Sequence, residues 1–141
     1  MMKMGVFIMA ALTLSAPANA NANSDDKFSL DCRGTSSAYK DGKKAEGSFA
    51  RSIRVDLVKG EYCLDKCELV SRIAETNSLE ITFVNRAYQR GSFSHFKDFA
   101  RVNRRTGDYE VAYMNSDKLE FMTARAVCSP ASFIPFPQTK F

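Results

Sequence analysis

Only a few side chains in this sequence could take part in metal, redox or nucleophilic chemistry: four cysteines, one histidine and their polar neighbours. Cys63 and Cys67 lie four positions apart in the stretch EYCLDKCEL, whereas Cys32 and Cys128 lie far from them and from each other. A structural zinc site needs four ligands, usually as two close pairs, and a thioredoxin-like centre has two residues between its cysteines. The spacing therefore favours disulfide bonds, and we expect no metal and no cofactor.

Four cysteines allow three disulfide pairings, and chain geometry favours one of them. The Cα atoms of a disulfide lie about 4.4 to 6.8 Å apart, whereas four residues of extended strand span roughly 13 Å. Cys63 and Cys67 can therefore pair if residues 64–66 form a turn. The pairing that we favour is Cys63–Cys67 with Cys32–Cys128, which ties the start of the mature chain to its end.

His95 is the one side chain whose ordinary pKa lies near neutral pH. As a general base it would need an orienting acid and a nucleophile, for which Asp98 and either Ser92 or Ser94 are the neighbours in sequence. Catalytic groups are normally assembled from distant segments, so a histidine at a turn or sheet rim is the simpler interpretation. We assign no catalytic residue, and an enzyme would require His95 in a cleft beside a carboxylate.

The most basic segment of the chain is a possible anion-binding patch. Guanidinium groups bind carboxylates and phosphates with two parallel hydrogen bonds, so the patch could bind lipid phosphate, lipopolysaccharide, a glycan or an acidic protein. The alternative is a solvated strand face, because Asp98, Asp108 and Glu110 partly neutralise the segment. The residues of this predicted patch are Arg86, Arg90, Lys97, Arg101, Arg104 and Arg105.

Residues 1–22 read as a cleaved secretory signal peptide. Lys3 supplies a positive start, residues 6–14 supply an apolar run, and small residues place the cleavage after Ala20 or Ala22. The apolar run is shorter than the roughly 20 residues of a membrane-spanning helix, and no later stretch is longer. We therefore expect an exported protein that does not span the membrane and whose thiols reach a compartment where disulfides persist.

The remaining chain, residues 23–141, has the length of a single domain. The formal net charge is +4 for the full sequence, and it falls to +3 when Lys3 leaves with the signal peptide. So small a positive excess gives only weak attraction to anionic surfaces, and we expect no nucleic-acid partner.

Apolar and polar residues alternate along most of residues 23–141, which predicts β-strands. The clearest strand lies in SFARSIRVDLVKG, where one face carries Phe49, Ile53, Val55 and Leu57. The segment SFSHFKDFARVNR fits either a short helix or a strand, and we favour a strand from Phe99 onward. In KLEFMTARAVC the apolar positions change phase, so we expect a bulge near Met122 or Thr123.

Turn signals separate these runs at Asp41-Gly42, at residues 89–91 and at Thr106-Gly107. The pattern predicts an all-β fold: one small antiparallel meander or barrel of seven or eight strands, stabilised by disulfides. The first and last strands of such a sheet are neighbours, which also favours the Cys32–Cys128 bond. Residues 130–141 form a tail whose three prolines argue against a central strand, and we expect its aromatic residues to wrap an open end or edge.

Several of these features together resemble small uncharacterised exported proteins of Gram-negative bacteria. They are the early cysteine strand, the VDL strand before a close cysteine pair, the NRRTGDY hairpin, and a last cysteine followed by an aromatic, proline-punctuated tail. The resemblance implies a periplasmic or secreted location. It brings no known activity, cofactor or catalytic residue.

The function expected from the sequence is that of an exported, non-catalytic protein that binds an anionic or apolar partner of the cell envelope. The alternative is a periplasmic inhibitor of a hydrolase that acts through a loop, and the third possibility is a small enzyme using His95. A barrel binder should contain a cavity lined by apolar side chains. An inhibitor should instead have a filled interior and a rigid loop at Asp41-Gly42 or at residues 89–91.

Overall fold

The computed structural model describes residues 26–91 and 93–138, apart from the side chains of residues 90, 93 and 94. The described residues form strands and connecting turns, with no helix among them. This confirms the predicted all-β fold, and also that the ambiguous segment is a strand, which begins at Phe93 rather than Phe99. The strands are β1 Lys27–Lys40, β2 Lys43–Asp56, β3 Glu61–Leu64, β4 Val70–Arg72, β5 Glu75–Thr76, β6 Glu80–Arg90, β7 Phe93–Asn103, β8 Asp108–Asn115 and β9 Glu120–Ala131.

The strands form one antiparallel sheet with the order β4-β3-β2-β1-β9-β8-β7-β6-β5, curled into a half-barrel. The two strands at its margins, β4 and β5, are separated in sequence only by Ile73 and Ala74. The Ile73 N–H donates to the Gly60 carbonyl at 2.9 Å, and the Ala74 N–H donates to the Thr82 carbonyl at 3.0 Å. The chain therefore bridges the two margins of the sheet at this end of the half-barrel.

The other end of the half-barrel is open, because two long strands extend past their short neighbours. β2 pairs with β3 only over Ile53–Asp56, and β6 pairs with β5 only at Ile81 and Thr82. Within the described ranges, the outer portions of β2 and β6 thus have a partner strand on one side alone. The concave inner face of the sheet is accessible between these two margins.

The core fills the closed end of the half-barrel and is built by the predicted alternation. Phe49, Ile53 and Val55 of β2 are buried, as are Leu30 and Cys32 of β1. Their partners on the inner face are largely aromatic and β-branched residues of the opposite strands, namely Tyr62, Ile81, Phe83, Val102, Tyr109 and Val111. Side chains of this kind pack well on a pleated surface, and their burial supplies most of the stabilisation of the fold.

Both predicted disulfides are confirmed. Cys32 and Cys128 lie directly opposite each other on β1 and β9, with their Cα atoms 3.9 Å apart. Cys63 and Cys67 are joined across a turn, with their Cα atoms 5.0 Å apart. In that turn Asp65 and Cys67 adopt positive φ angles of 50° and 60°. The neighbourhood of the first and last strands is therefore also confirmed.

The hairpin turns follow the local sequence. Asp41 and Gly42 both have positive φ, 52° and 76°, as the two-residue turn between β1 and β2 requires. Gly91 and Gly107 have φ of 66° and 77° at the turns that join β6 to β7 and β7 to β8. Asp and Gly tolerate this left-handed region better than other residues, so these turns could be read from the sequence.

The predicted bulge near Met122 or Thr123 is wrong. β9 pairs with β1 in unbroken register from Phe121 to Ala131. The register shifts lie between β6 and β7 instead, at Thr82/Val84 and at Tyr88/Gln89. The apolar phase change arises because Leu119 belongs to a turn, with a φ of 53°, and because Phe121 faces outward. Both side chains are exposed, so neither occupies an inward-facing position of β9.

The C-terminal segment begins later than expected. Pro130 belongs to β9, opposite Leu30, and is tolerated because β8 pairs with β9 only as far as Val127. Residues 132–138 then lie against the outer face of β1 and β2, and residues 133 and 135–138 share a pocket with Glu61 of β3 and Val70 of the marginal strand β4. There the Ile134 N–H donates to the Ser29 hydroxyl at 3.4 Å, and Arg54 donates to the Pro135 carbonyl at 3.2 Å.

Candidate functional site

The inner face of β2 carries an arginine between two core residues. Phe49, Arg51 and Ile53 occupy alternate positions, so all three side chains project to the concave side of the sheet. Phe49 and Ile53 are buried. The sequence reasoning placed these two residues on the apolar face and passed over Arg51 between them, although the period of two already assigned it to that face.

The Arg51 guanidinium is held by groups of different kinds. It lies over the Phe49 ring, 5.4 Å from the ring centre, and its Nε is 3.6 Å from Asp65 Oδ2. Asp65 is itself fixed, because its Oδ1 accepts a hydrogen bond of 3.1 Å from the Ser52 N–H. The Arg51 Nε is buried and has no hydrogen-bond partner among the described residues. This donor is therefore desolvated, and the Asp65 carboxylate lies just beyond hydrogen-bond distance from it.

A second charged pair lies on the same inner face. Arg86 of β6 lies directly opposite Asp98 of β7, and an Arg86 Nη2 donates to Asp98 Oδ2. The carboxylate is largely sheltered from solvent while the guanidinium is exposed. The pair therefore lies where the packed core gives way to the open end of the half-barrel.

Between these charged groups lies a cavity of about 290 Å³. Its floor is aromatic, with the Tyr62 and Phe83 ring centres 4.9 Å apart and those of Phe83 and Tyr109 6.3 Å apart. Apart from these rings and the charged groups, its walls are mostly apolar. The lining residues are Arg51, Tyr62, Leu64, Phe83, Val84, Arg86, Asp98, Ala100, Tyr109, Val111, Tyr113 and Met122.

Two tyrosine side chains of the cavity lie in surroundings of low polarity. Burial raises the pKa of Tyr109 to about 12, although the neighbouring Arg51 guanidinium opposes the rise. Burial also raises the pKa of Tyr62, and the charge of Asp98 adds to that effect. Both phenols are therefore neutral at physiological pH, and electrostatic interactions in their surroundings are stronger than in water.

His95 does not meet the partners that the sequence suggested. Its Nδ1 lies 3.2 Å from Asp117 Oδ1, a residue of the turn between β8 and β9. Asp98 points to the opposite face of β7, where Arg86 binds it. The side chains of Ser92 and Ser94 lie outside the described residues. His95 is thus within reach of a carboxylate, but this carboxylate is exposed and the histidine lines none of the cavities described here.

The structure distributes the predicted anion-binding patch over different faces. Arg86 lies on the inner face, whereas Lys97 and Arg101 lie on the outer face of β7. Arg104 donates to the Asn77 carbonyl at 3.0 Å, and Arg105 is exposed in the turn after β7. The Arg90 side chain lies outside the described residues. Arg86 therefore shares the cavity with Arg51, and Lys97 and Arg101 belong to a separate surface.

The carboxylates near Cys63 and Cys67, those of Glu61, Asp65 and Glu68, do not form a metal site in the described part of the chain. No group of three or more His, Cys, Asp or Glu side chains there could hold a metal ion. All four cysteines are consumed by disulfides, which are compatible with an oxidising, exported location. The signal peptide predicted over residues 1–22 lies outside the described residues.

Comparison with protein families, curated proteins and solved structures finds no match to this chain. Residues 26–91 and 93–138 contain no helix of the length and apolar character that crossing a membrane requires. Function is therefore inferred from the geometry of the half-barrel.

Proposed function

We propose that this chain is an exported, non-catalytic binding protein of the cell envelope, and that its inner cavity holds a small apolar molecule with an acidic group. The cavity between Arg51, Arg86 and the aromatic floor is the observation that carries the proposal. Its volume lies at the lower end of the range for small-molecule sites, which are mostly apolar with a few convergent polar groups.

The apolar part of the ligand is favoured by the floor and walls. Phe83 and Tyr109 are almost fully buried beneath the cavity, and Val111, Ala100 and Met122 line its sides. Removing an aliphatic chain from water onto such a surface contributes about 0.8 kcal/mol for each buried methylene group. An alkyl chain of seven carbons would contribute about 6 kcal/mol before the cost of association, which is why octyl compounds are suitable probes.

The acidic group is favoured by the charges. The lining contains the cations Arg51 and Arg86 and the carboxylate Asp98, whereas Asp65, the ion-pair partner of Arg51, is not among the lining residues. Arg51 also brings a buried donor without a hydrogen-bond partner among the described residues, and leaving such a donor unpaired costs about 1 to 3 kcal/mol. A carboxylate on the ligand would accept from the Arg51 guanidinium in a charge-assisted hydrogen bond.

The cavity also helps to distinguish a binding protein from a hydrolase inhibitor and from an enzyme. A hydrolase inhibitor would be expected to have a filled interior, whereas this one retains a cavity. An enzyme would need an acid, a base and a nucleophile that converge in a cleft, and His95 with the exposed Asp117 supplies no such group in the described part of the chain. These observations favour a binding protein over the alternatives.

The ligand proposal is tested by calorimetric titration of the oxidised mature protein with octanoate, octanol and octylamine. We expect octanoate to bind most tightly, octanol more weakly and octylamine weakest. Arg51→Gln should weaken octanoate binding by about tenfold, equal to about 1.4 kcal/mol, and leave octanol binding nearly unchanged. Arg72→Gln, on the exposed β4 strand, is the matched control and should bind as the parent does.

Two results would contradict the ligand proposal. One is an equal affinity for all three compounds, or binding of none. The other is a loss of octanoate affinity that is the same for Arg51→Gln and Arg72→Gln. The export proposal is tested separately, by mass spectrometry of the protein recovered from its native host: we expect cleavage after Ala20 or Ala22 and no free thiol.

A further inference from the structure

The outer face of the sheet carries a groove that is separate from the inner cavity. Its base is a row of side chains that lie opposite one another on consecutive strands, from β2 across β1, β9 and β8 to β7. The row is Glu46, Ser37, Thr123, Ala112 and Phe99. Because its central members are small, the surface is depressed between taller neighbours, and the groove has a volume of about 970 Å³.

One wall of the groove is a ladder of alternating charges. Arg125, Glu110 and Arg101 lie opposite one another on β9, β8 and β7. Arg101 donates to Glu110 Oε2 at 2.9 Å and lies 3.3 Å from Glu80 Oε2. Its guanidinium is therefore fixed in place. Arg125 is exposed and has no acidic partner within ion-pair distance among the described residues.

On its other side the groove is bordered by an aromatic and aliphatic row, of which only Lys97 is among the lining residues. Tyr39 of β1 lies opposite Phe121 of β9, and Phe121 lies opposite Met114 of β8. The Tyr39 and Phe121 ring centres are 6.1 Å apart, and more than a third of each side chain is exposed. The row ends at Lys97, which lies opposite Met114 and whose Nζ is 5.5 Å from the Phe99 ring centre.

From this arrangement we propose that the outer groove binds an acidic oligosaccharide, a sugar chain that bears carboxylates. The hydroxyl groups of Ser37 and Thr123 and the paired Arg101 and Glu110 can each exchange hydrogen bonds with sugar hydroxyls. The exposed rings of Tyr39 and Phe121 offer flat apolar surfaces to the C–H faces of a pyranose, since aromatic rings bury a large area with few rotatable bonds.

The charges select an acidic sugar over other extended ligands. The groove contains Lys97, Arg101 and Arg125 against Glu46 and Glu110, and both Lys97 and Arg125 are without an acidic partner in the described part of the chain. This modest positive excess suits a chain with dispersed carboxylates better than a densely charged polyphosphate. An extended peptide would pair with a free strand margin and run along it, whereas this groove runs across five strands.

The test is calorimetric titration of the oxidised mature protein with hexagalacturonate and, in parallel, with the neutral sugar maltohexaose. We expect hexagalacturonate to bind, with an affinity that falls as salt is added because the contributing charges are exposed. Maltohexaose should bind about tenfold more weakly or less. Arg125→Gln should weaken hexagalacturonate binding by about fivefold to tenfold, as expected for loss of one charge-assisted contact.

Controls separate this site from the inner cavity. Arg72→Gln should bind hexagalacturonate as the parent does, and saturation with octanoate should not displace the sugar. Amide shifts in an NMR titration should concentrate at Thr123, Ala112 and Ser37. The proposal is overturned if neither sugar binds, if both bind equally, or if Arg125→Gln and Arg72→Gln bind hexagalacturonate with equal affinity. Arg125 is exposed, so its replacement should leave the fold intact, which circular dichroism will verify.

Discussion

Arg51 lies directly opposite Cys32 in the register of β1 and β2, and its side chain therefore projects to the same inner face as the Cys32–Cys128 disulfide. A cation is thus placed beside the covalent link between the first and last strands. Its nearest carboxylate, that of Asp65, comes from the turn closed by the second disulfide. The two cross-links thus flank the charged wall of the cavity.

Replacement of the Arg51 guanidinium should cost little stability. Arg51→Met keeps much of the apolar stem, and it removes an ion pair whose carboxylate is half exposed and so contributes about 1 kcal/mol or less. It also removes a buried donor with no hydrogen-bond partner among the described residues. We expect the free energy of unfolding in urea to change by less than about 1 kcal/mol. A loss above about 3 kcal/mol would show that Arg51 is structural and weaken its assignment to ligand binding.

The two disulfides should differ in what they contribute to stability. Cys32–Cys128 joins residues 96 apart in sequence and Cys63–Cys67 residues 4 apart. In the chain-entropy model, closing the longer loop contributes about 4 to 5 kcal/mol and closing the shorter one about 2 kcal/mol. Urea unfolding of the two double-alanine variants measures this difference. Equal losses would contradict the loop-closure explanation.

Gly34 is predicted to be irreplaceable although its backbone is that of an ordinary strand. A Cβ at this position would lie 1.9 Å from the Arg125 carbonyl oxygen and 2.5 Å from the Ala126 Cα, both of them backbone atoms of β9. Gly34→Ala should therefore cost more than about 3 kcal/mol or prevent folding.

Gly47 on β2 provides the matched control for Gly34. A Cβ there would meet nothing within 4 Å, so Gly47→Ala should be neutral or stabilise the protein by up to about 1 kcal/mol, because alanine restricts the unfolded chain. Thermal unfolding followed by circular dichroism compares the two variants. Similar melting temperatures for both would mean that β1 and β9 do not approach as closely as described.

Tyr109 should ionise late and make the protein sensitive to alkali. Burial raises its pKa to about 12, whereas an unfolded tyrosine ionises near about 10. The raised pKa means that this contribution to stability is complete below about pH 10 and is lost as pH rises from about 10 to 12. The loss amounts to about 2 to 3 kcal/mol.

Phenolate absorbance during an alkaline titration measures this effect. The latest of the components from the five tyrosines should belong to Tyr109, and Tyr109→Phe should remove it and reduce the alkaline loss of stability. Tyr88→Phe, at an exposed residue, should leave the late component in place. A late component that survives Tyr109→Phe would assign it to another phenol.

The sequence by itself determined the features that depend on near neighbours. Alternation at a period of two identified the strands and the buried face of β2, and the Asp41-Gly42 pair specified its turn because both residues tolerate positive φ. The two cross-links followed from three considerations: an even number of cysteines in a chain predicted to be exported, the distance limits of a disulfide, and the pairing of the first strand with the last. Each of these inferences depends either on geometry within a few residues or on the pairing of the first strand with the last.

Only the tertiary structure decided which side chains meet. A period of two separates the faces of one strand, but the register shift at Thr82/Val84 sets the phase of β6 relative to β7, and so brings Arg86 to Asp98 inside. Lys97 and Arg101 stay outside on the same β7 strand. Asp65 and Asp117 lie in turns between other strands. Their contacts with Arg51 and His95 therefore likewise depend on the tertiary structure. Pairing across a sheet is set by register and curvature, which alternation along a single strand does not encode.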